Sequence, residues 1–207
     1  MKIEKIRIGD DITVAFCEIP GMVDFSESSC YGLRALTANV RSENRRREIF
    51  TVNVLVKELF GEEAMLRHKE SGAPYLAYAD KSKDAPFISI SHCRGLVAIA
   101  YGTKTVGVDV EVIGERVMNV RRRVQSEEEL AQTGKSEELN TIVWTAKEAL
   151  YKLIPEEGVD FSRDLHVDIS NVDSRKHENA FEATAYGRTY NLVSRLLEDD
   201  KILTIAF

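Results

Sequence analysis

Thr105-Val-Gly-Val-Asp-Val-Glu-Val-Ile113 alternates without a break. Read as a strand, it puts Val106, Val108, Val110 and Val112 on one face and Gly107, Asp109 and Glu111 on the other. The valine face ties the strand to a core and so fixes its register. The opposite face then carries two carboxylates spaced so that both reach one hard cation, with Gly107 leaving room beside them for a phosphate. The stretch therefore predicts a sheet strand that also carries a Mg²⁺ site.

Downstream, Trp144-Thr-Ala-Lys-Glu-Ala-Leu-Tyr-Lys152 has neither Gly nor Pro and reads as a helix. Trp144, Glu148, Tyr151 and Lys152 fall at i, i+4, i+7 and i+8, on one face. Glu148 offers a third carboxylate for the cation, and Lys152, one turn on, a cation for a phosphate. Either segment alone also fits a blander reading, as a solvated strand face or a surface Glu–Lys pair. Their value lies in occurring together.

Upstream, Ile3, Ile6 and Ile8 and then Ile12, Val14 and Phe16 flank Gly9-Asp10-Asp11, the pattern of a hairpin. Ser26 caps an expected helix to about Asn39, and Ser42 caps a second that ends at Gly61 and buries Ile49, Val52, Leu55, Val56, Leu59 and Phe60. Its first turns carry Arg45, Arg46 and Arg47; of these, Arg46 and Arg47 are candidates to bind phosphate, although a solvated face fits equally. Ser71-Gly-Ala-Pro-Tyr-Leu76 is a turn into an extended piece. Phe87 to Ser91 and Leu96 to Tyr101 form a second hairpin about Cys93-Arg94-Gly95. There Ser91 and His92 are candidates to meet a phosphate, and His92 fits a structural role as well.

Between the two chemical segments, Glu115 to Leu139 is helical and loop-rich, with a Ser126-x-x-Glu129 capping box and three consecutive arginines, Arg121 to Arg123. After Pro155 the strand pattern returns at 165–169, 180–185, 189–197 and 201–207, with Asp199-Asp200 as the last turn. The fold class that follows is α+β, in two similar halves, residues 1–102 and 103–207, each a small antiparallel sheet packed with a long helix. A ligand cleft is expected between them.

With 43% hydrophobic residues the chain has material for a real core, and a net charge of -6 argues against general nucleic-acid affinity. The opening Met1-Lys-Ile-Glu-Lys-Ile-Arg7 has no apolar run for a signal peptide or a membrane span, so a cytoplasmic address is expected. Cys17, Cys30 and Cys93 are odd in number and lack paired spacing, which reads as reduced thiols.

Taken in order, Gly72-Ala-Pro-Tyr-Leu76, Ile88-Ser-Ile-Ser-His92, Gly107-Val-Asp-Val-Glu111, Ser126-Glu-Glu-Glu-Leu130 and Trp144 to Lys152 resemble the ordered motifs of the 4'-phosphopantetheinyl transferases. The length resembles the larger, surfactin-type branch, in which a single chain folds as two similar halves and is expected to be a monomer. The resemblance implies a holo-[acyl-carrier-protein] synthase type of enzyme. Such an enzyme moves the phosphopantetheine arm of coenzyme A to a serine of an acyl- or peptidyl-carrier protein, with Mg²⁺, releasing adenosine 3',5'-bisphosphate. It also implies roles: Asp109, Glu111 and Glu148 as Mg²⁺ ligands, Glu148 and Lys152 as catalytic groups, and Ser91 and His92 as contacts to coenzyme A phosphates. Trp144 and Lys147 read as packing and snorkelling groups, and Arg121 to Arg123 as a surface for an acidic carrier or a solvated face. The chain departs from the family at Ala73, Cys93 and Asn53, where a cation, a serine and an arginine are usual. That thinning of cations motivates an alternative function, a non-catalytic module that binds coenzyme A or a carrier protein.

Overall fold

The computed structural model describes residues 1–23, 36–154 and 156–207. The first sheet contains β1 (Ile3–Ile8), β2 (Ile12–Glu18), β5 (Phe87–Cys93) and β6 (Leu96–Gly102), in the order β1-β2-β6-β5 and antiparallel throughout. The second contains β7 (Gly107–Val112), β8 (Leu165–Val167), β9 (Glu178–Ala185), β10 (Arg188–Leu197) and β11 (Lys201–Ala206), in the order β7-β11-β10-β9-β8, again antiparallel. A small ribbon of β3 (Met65–His68) and β4 (Pro74–Ala77) pairs with neither sheet and packs through Leu76 against the first.

Two long helices cover the sheets. α1 (Glu43–Phe60) starts at Ser42, whose side chain accepts from the Arg45 N–H, and stops at Gly61, where a φ of 94° suits glycine. α2 (Glu115–Val124) and α3 (Glu127–Thr133) precede α4 (Glu137–Leu153), which Ser136 caps, and α5 (Phe161–Asp164) follows as a single turn. The Ser126/Glu129 capping box is formed at the start of α3.

Three apolar clusters give the layer order α1, first sheet, second sheet, α4. Val52, Leu55 and Val56 of α1 pack on Ala15, Val97 and Ile99. Between the sheets, Val14, Phe16, Ala98 and Ala100 meet Val106, Val108, Val110, Leu203 and Ile205. On the far side Val143, Ala146 and Leu150 of α4 pack on Leu165, Phe181 and Leu192. The valines of β7 thus face the shared middle core and its acids face α4. At roughly 25 cal/mol per Å² of apolar surface, these three clusters hold most of the driving force for folding.

Several boundaries differ from expectation. The second hairpin turns on Arg94-Gly95 alone, with Gly95 at φ 86°, so that His92 and Cys93 lie in β5, paired with Val97 and Leu96. β3 was not anticipated; it pairs with the piece beginning at Pro74. Asp199 and Asp200 do form the last turn, both at positive φ (55° and 52°), a conformation that aspartate tolerates better than most residues. The helix expected from Ser26, and Cys30 with it, falls largely or wholly on residues 24–35 and so outside the described residues.

Candidate active site

β7 and α4 cross where Gly107 meets Ala149. A Cβ on Gly107 would lie 1.9 Å from the Ala149 carbonyl oxygen. Glycine is therefore required to let the helix backbone settle on the strand, and the gap expected beside the carboxylates for a phosphate is filled by α4. This close crossing brings Glu148 and Lys152 over Asp109.

Asp109 and Glu111 are each 7% exposed. Asp109 Oδ1 accepts from Lys152 Nζ at 2.8 Å and from Ser91 Oγ at 2.7 Å, and Lys152 also donates to the Val108 carbonyl at 2.8 Å. Glu111 accepts from Arg116 through one oxygen and from the Val112 N–H through the other. Burial raises the Glu148 carboxyl above the usual carboxylate range; the charge of Asp109 adds to this and Lys152 opposes it. The three acids thus share one electrostatic neighbourhood in which each added negative charge is unfavourable.

Among the described residues, no three His, Cys, Asp or Glu side chains converge as a ready cage. Mg²⁺ does not need one, because it keeps several waters and takes one or two carboxylates together with substrate phosphates. Hard oxygen donors, and an electrostatic field that disfavours a second and third anion, fit such an ion.

On the other side of Ser91, His92 faces α1. Arg45 Nη1 stands 2.6 Å from His92 Nε2, which accepts, so that Nδ1 carries the proton 3.6 Å from Glu48 Oε2. Arg45 also donates to Glu48 at 2.9 Å. Burial holds the His92 imidazole below its ordinary range, with Glu48 opposing and Arg45 reinforcing, which keeps the ring neutral and able to accept. A cavity of about 380 Å³ opens beside this cluster, lined by Arg45, Asn53, His68, Pro74, Ile90 and His92 among others. Its apolar walls and few polar groups suit a small ligand that carries phosphate. A second, more open hollow of about 600 Å³ lies at α2 and α3, with Arg121, Arg122, Glu127 and Lys135 on its walls.

Arg46 and Arg47 are both engaged within the protein. Arg46 Nε donates to the Val40 carbonyl at 2.5 Å, while Arg47 donates to the Gly21 and Pro20 carbonyls and to Asn44. They tether the start of α1 to neighbouring backbone, and it is Arg45, one helical step back, that reaches the cavity. Ser91 is likewise engaged inside the protein, with Asp109. Asn53 lines the cavity but donates its amide to the Ile49 carbonyl at 2.8 Å.

Lys147 does not snorkel. Its side chain is fully buried, and Nζ donates to Glu129 Oε2 at 2.6 Å and to the Val124 and Phe161 carbonyls, each at 2.9 Å. Glu129 in turn accepts from the Val167 N–H at 2.9 Å and from the Ser126 N–H at 2.7 Å. One capping-box carboxylate therefore binds α3, α4 and β8 together. Sequence reasoning also missed Glu48 and Arg116. Glu48 had a signal, three residues after Arg45 on the same helix face, whereas nothing local marks Arg116 as the partner of Glu111.

The sequence model of the 4'-phosphopantetheinyl transferase superfamily matches residues 105–206, a span running from the first residues before β7 through β11. The match includes Asp109, Glu111, Glu148 and Lys152 and stops short of the Arg45 cavity. No curated protein matches the chain. Among the described residues no helix is long and apolar enough to cross a membrane.

Proposed function

From a 4'-phosphopantetheinyl transferase domain at residues 105–206, we propose that this protein transfers the 4'-phosphopantetheine arm of coenzyme A to a serine of an acyl- or peptidyl-carrier protein, with Mg²⁺. The observation that carries the proposal is the crossing of β7 and α4, which sets Asp109, Glu148 and Lys152 side by side next to the Arg45–His92 cavity. The division into halves at 102/103 belongs to the same reading, with the shared middle core joining them.

In the reaction, the serine oxygen of the carrier forms a bond to the phosphorus that bears pantetheine. The bridging P–O bond breaks, and adenosine 3',5'-bisphosphate leaves with the bridging oxygen. Such a transfer depends on positioning and charge stabilisation more than on covalent help from the protein. Asp109, Glu111 and Glu148 would hold Mg²⁺, which supplies charge neutralisation on the pyrophosphate oxygens when bound. Glu148 would take the serine proton. Lys152 moves its ammonium from Asp109 to a phosphate oxygen as charge builds there. Arg45 and the neutral His92 line the coenzyme A side, and the basic hollow with Arg121, Arg122 and Lys135 suits an acidic carrier surface.

Mass spectrometry of a panel of apo carrier proteins, incubated with coenzyme A, Mg²⁺ and this protein, tests the reading. Addition of one phosphopantetheine to a carrier is expected, and the variants Asp109→Ala and Glu148→Ala should fold but transfer nothing. Tight binding of coenzyme A with no transfer to any carrier would instead establish the alternative, a non-catalytic binding module.

A further inference from the structure

We propose that Ser91 is a positioning residue that aims Asp109 at the cation, and that it makes no contact with coenzyme A. The inference rests on the cation role assigned to Asp109 above, and it comes from how the two sheets meet. β7 is an edge strand: β11 pairs with it on one side, and on the other it faces β5, itself the edge of the first sheet. No ladder joins β5 to β7. Two serine side chains do the joining instead, since Ser89 Oγ accepts from the Val108 N–H at 3.0 Å and Ser91 Oγ accepts from the Val110 N–H at 3.3 Å.

The two hydroxyls differ in what they do with their protons. A serine has one O–H to give. That of Ser91 goes to Asp109 Oδ1 at 2.7 Å, in a site where Ser91 is only 7% exposed. The Ser91 proton is thus committed to Asp109, and Ser91 is not among the residues that line the Arg45 cavity. Lys152 donates to the same Oδ1, so the two donors converge on one oxygen of the carboxylate, and Oδ2 is the oxygen that would face a cation. Hydrogen bonds of this kind to a ligating carboxylate typically change metal affinity tenfold to a hundredfold. Ser89, 3% exposed, contacts the backbone of β7 in the same manner and does not touch Asp109, which makes it the natural control.

The test uses the full chain and Mn²⁺ as the probe, with free ion followed by electron paramagnetic resonance, and coenzyme A affinity measured separately in the presence of a chelator. Ser91→Ala should weaken Mn²⁺ binding about tenfold to a hundredfold and leave coenzyme A affinity in chelator unchanged. Ser89→Ala and Ser91→Ala should lower the unfolding midpoint by similar amounts, yet Ser89→Ala should bind Mn²⁺ like the parent. Ser91→Thr, which keeps the hydroxyl, should recover most of the Mn²⁺ affinity. If Ser91→Ala does not fold, Ser91→Cys keeps the volume, gives up the strong donor and carries the same expectation. Loss of coenzyme A affinity in chelator, or Mn²⁺ affinity equal to the parent's, overturns the positioning role. A parent that binds Mn²⁺ in this Ser91-dependent way and modifies no carrier removes the proposed reaction and leaves the positioning role in place; a parent that binds no divalent ion removes the positioning role.

Discussion

Glu129→Gln gives the most direct measure of what holds the second half together. The ammonium of Lys147 is fully buried and, among the described residues, its ion-pair partner is Glu129, at 2.6 Å; two backbone carbonyls also accept from it. Removing one partner of a buried ion pair leaves an uncompensated charge and costs about 3–5 kcal/mol. The glutamine keeps an oxygen for the Val167 N–H, although its NH2 then faces Lys147 and the Ser126 N–H, so this variant costs less than full truncation, about 3 kcal/mol. Glu129→Ala also strands the Val167 and Ser126 N–H groups and belongs near 5 kcal/mol. At roughly 2–4 °C per kcal/mol for a chain of this size, the midpoints should fall by about 6–12 °C and 10–20 °C. Urea unfolding followed by circular dichroism should give the same order with an unchanged slope. The double variant Glu129→Gln with Lys147→Met, which buries no charge, should regain most of the loss, giving a coupling energy of opposite sign to the single effects. A Glu129→Ala protein that melts within about 2 °C of the parent would refute the assignment of this pair as a structural anchor.

Burial lowers the Lys147 ammonium below its usual pKa of 10.5, so between its folded-state pKa and 10.5 the unfolded chain binds more protons than the folded one. Stability of the parent relative to Lys147→Met should therefore rise as pH climbs through that window, and parallel pH profiles for the two proteins would contradict it. Gly107→Ala puts a methyl into the Ala149 carbonyl and should cost about 3 kcal/mol or more, read as a drop in denaturant midpoint. Arg45→Ala should raise the KM for coenzyme A by about tenfold to a hundredfold, the worth of one hydrogen bond to a charged group. Arg46→Ala, by contrast, should lower stability and leave KM alone, because that side chain is tied to the Val40 carbonyl.

Strict alternation from Val106 to Val112 was enough to orient β7, because a buried valine face admits one register. Ser42, Gly61 and the Ser126/Glu129 box marked helix ends through local chemistry alone. What the sequence could not show depends on packing between distant elements. Three arginines in a row sweep a little over half of the way round a helix, and the positions of Gly21, Val40 and His92 decide that Arg45 and not Arg46 or Arg47 reaches the cavity. The direction of the Ser91 proton depends on β5 lying beside β7, and the glycine of Gly107-Val-Asp serves a helix that begins thirty residues later. The four residues of β3 carry no period long enough to detect.

The serine seam between β5 and β7 has a further consequence for how the chain behaves when partly unfolded. An edge strand with a bare row of N–H and C=O groups is a template on which another chain can add a strand. Here Ser89 and Ser91 occupy the Val108 and Val110 N–H groups, and Lys152 occupies the Val108 carbonyl. Ser91 and Lys152, which bond Asp109, thus act together with Ser89 as a plug. When heat or a substitution peels β5 away, β7 is left as a valine-rich edge open to strand addition, so aggregation should begin at this seam before the middle core melts.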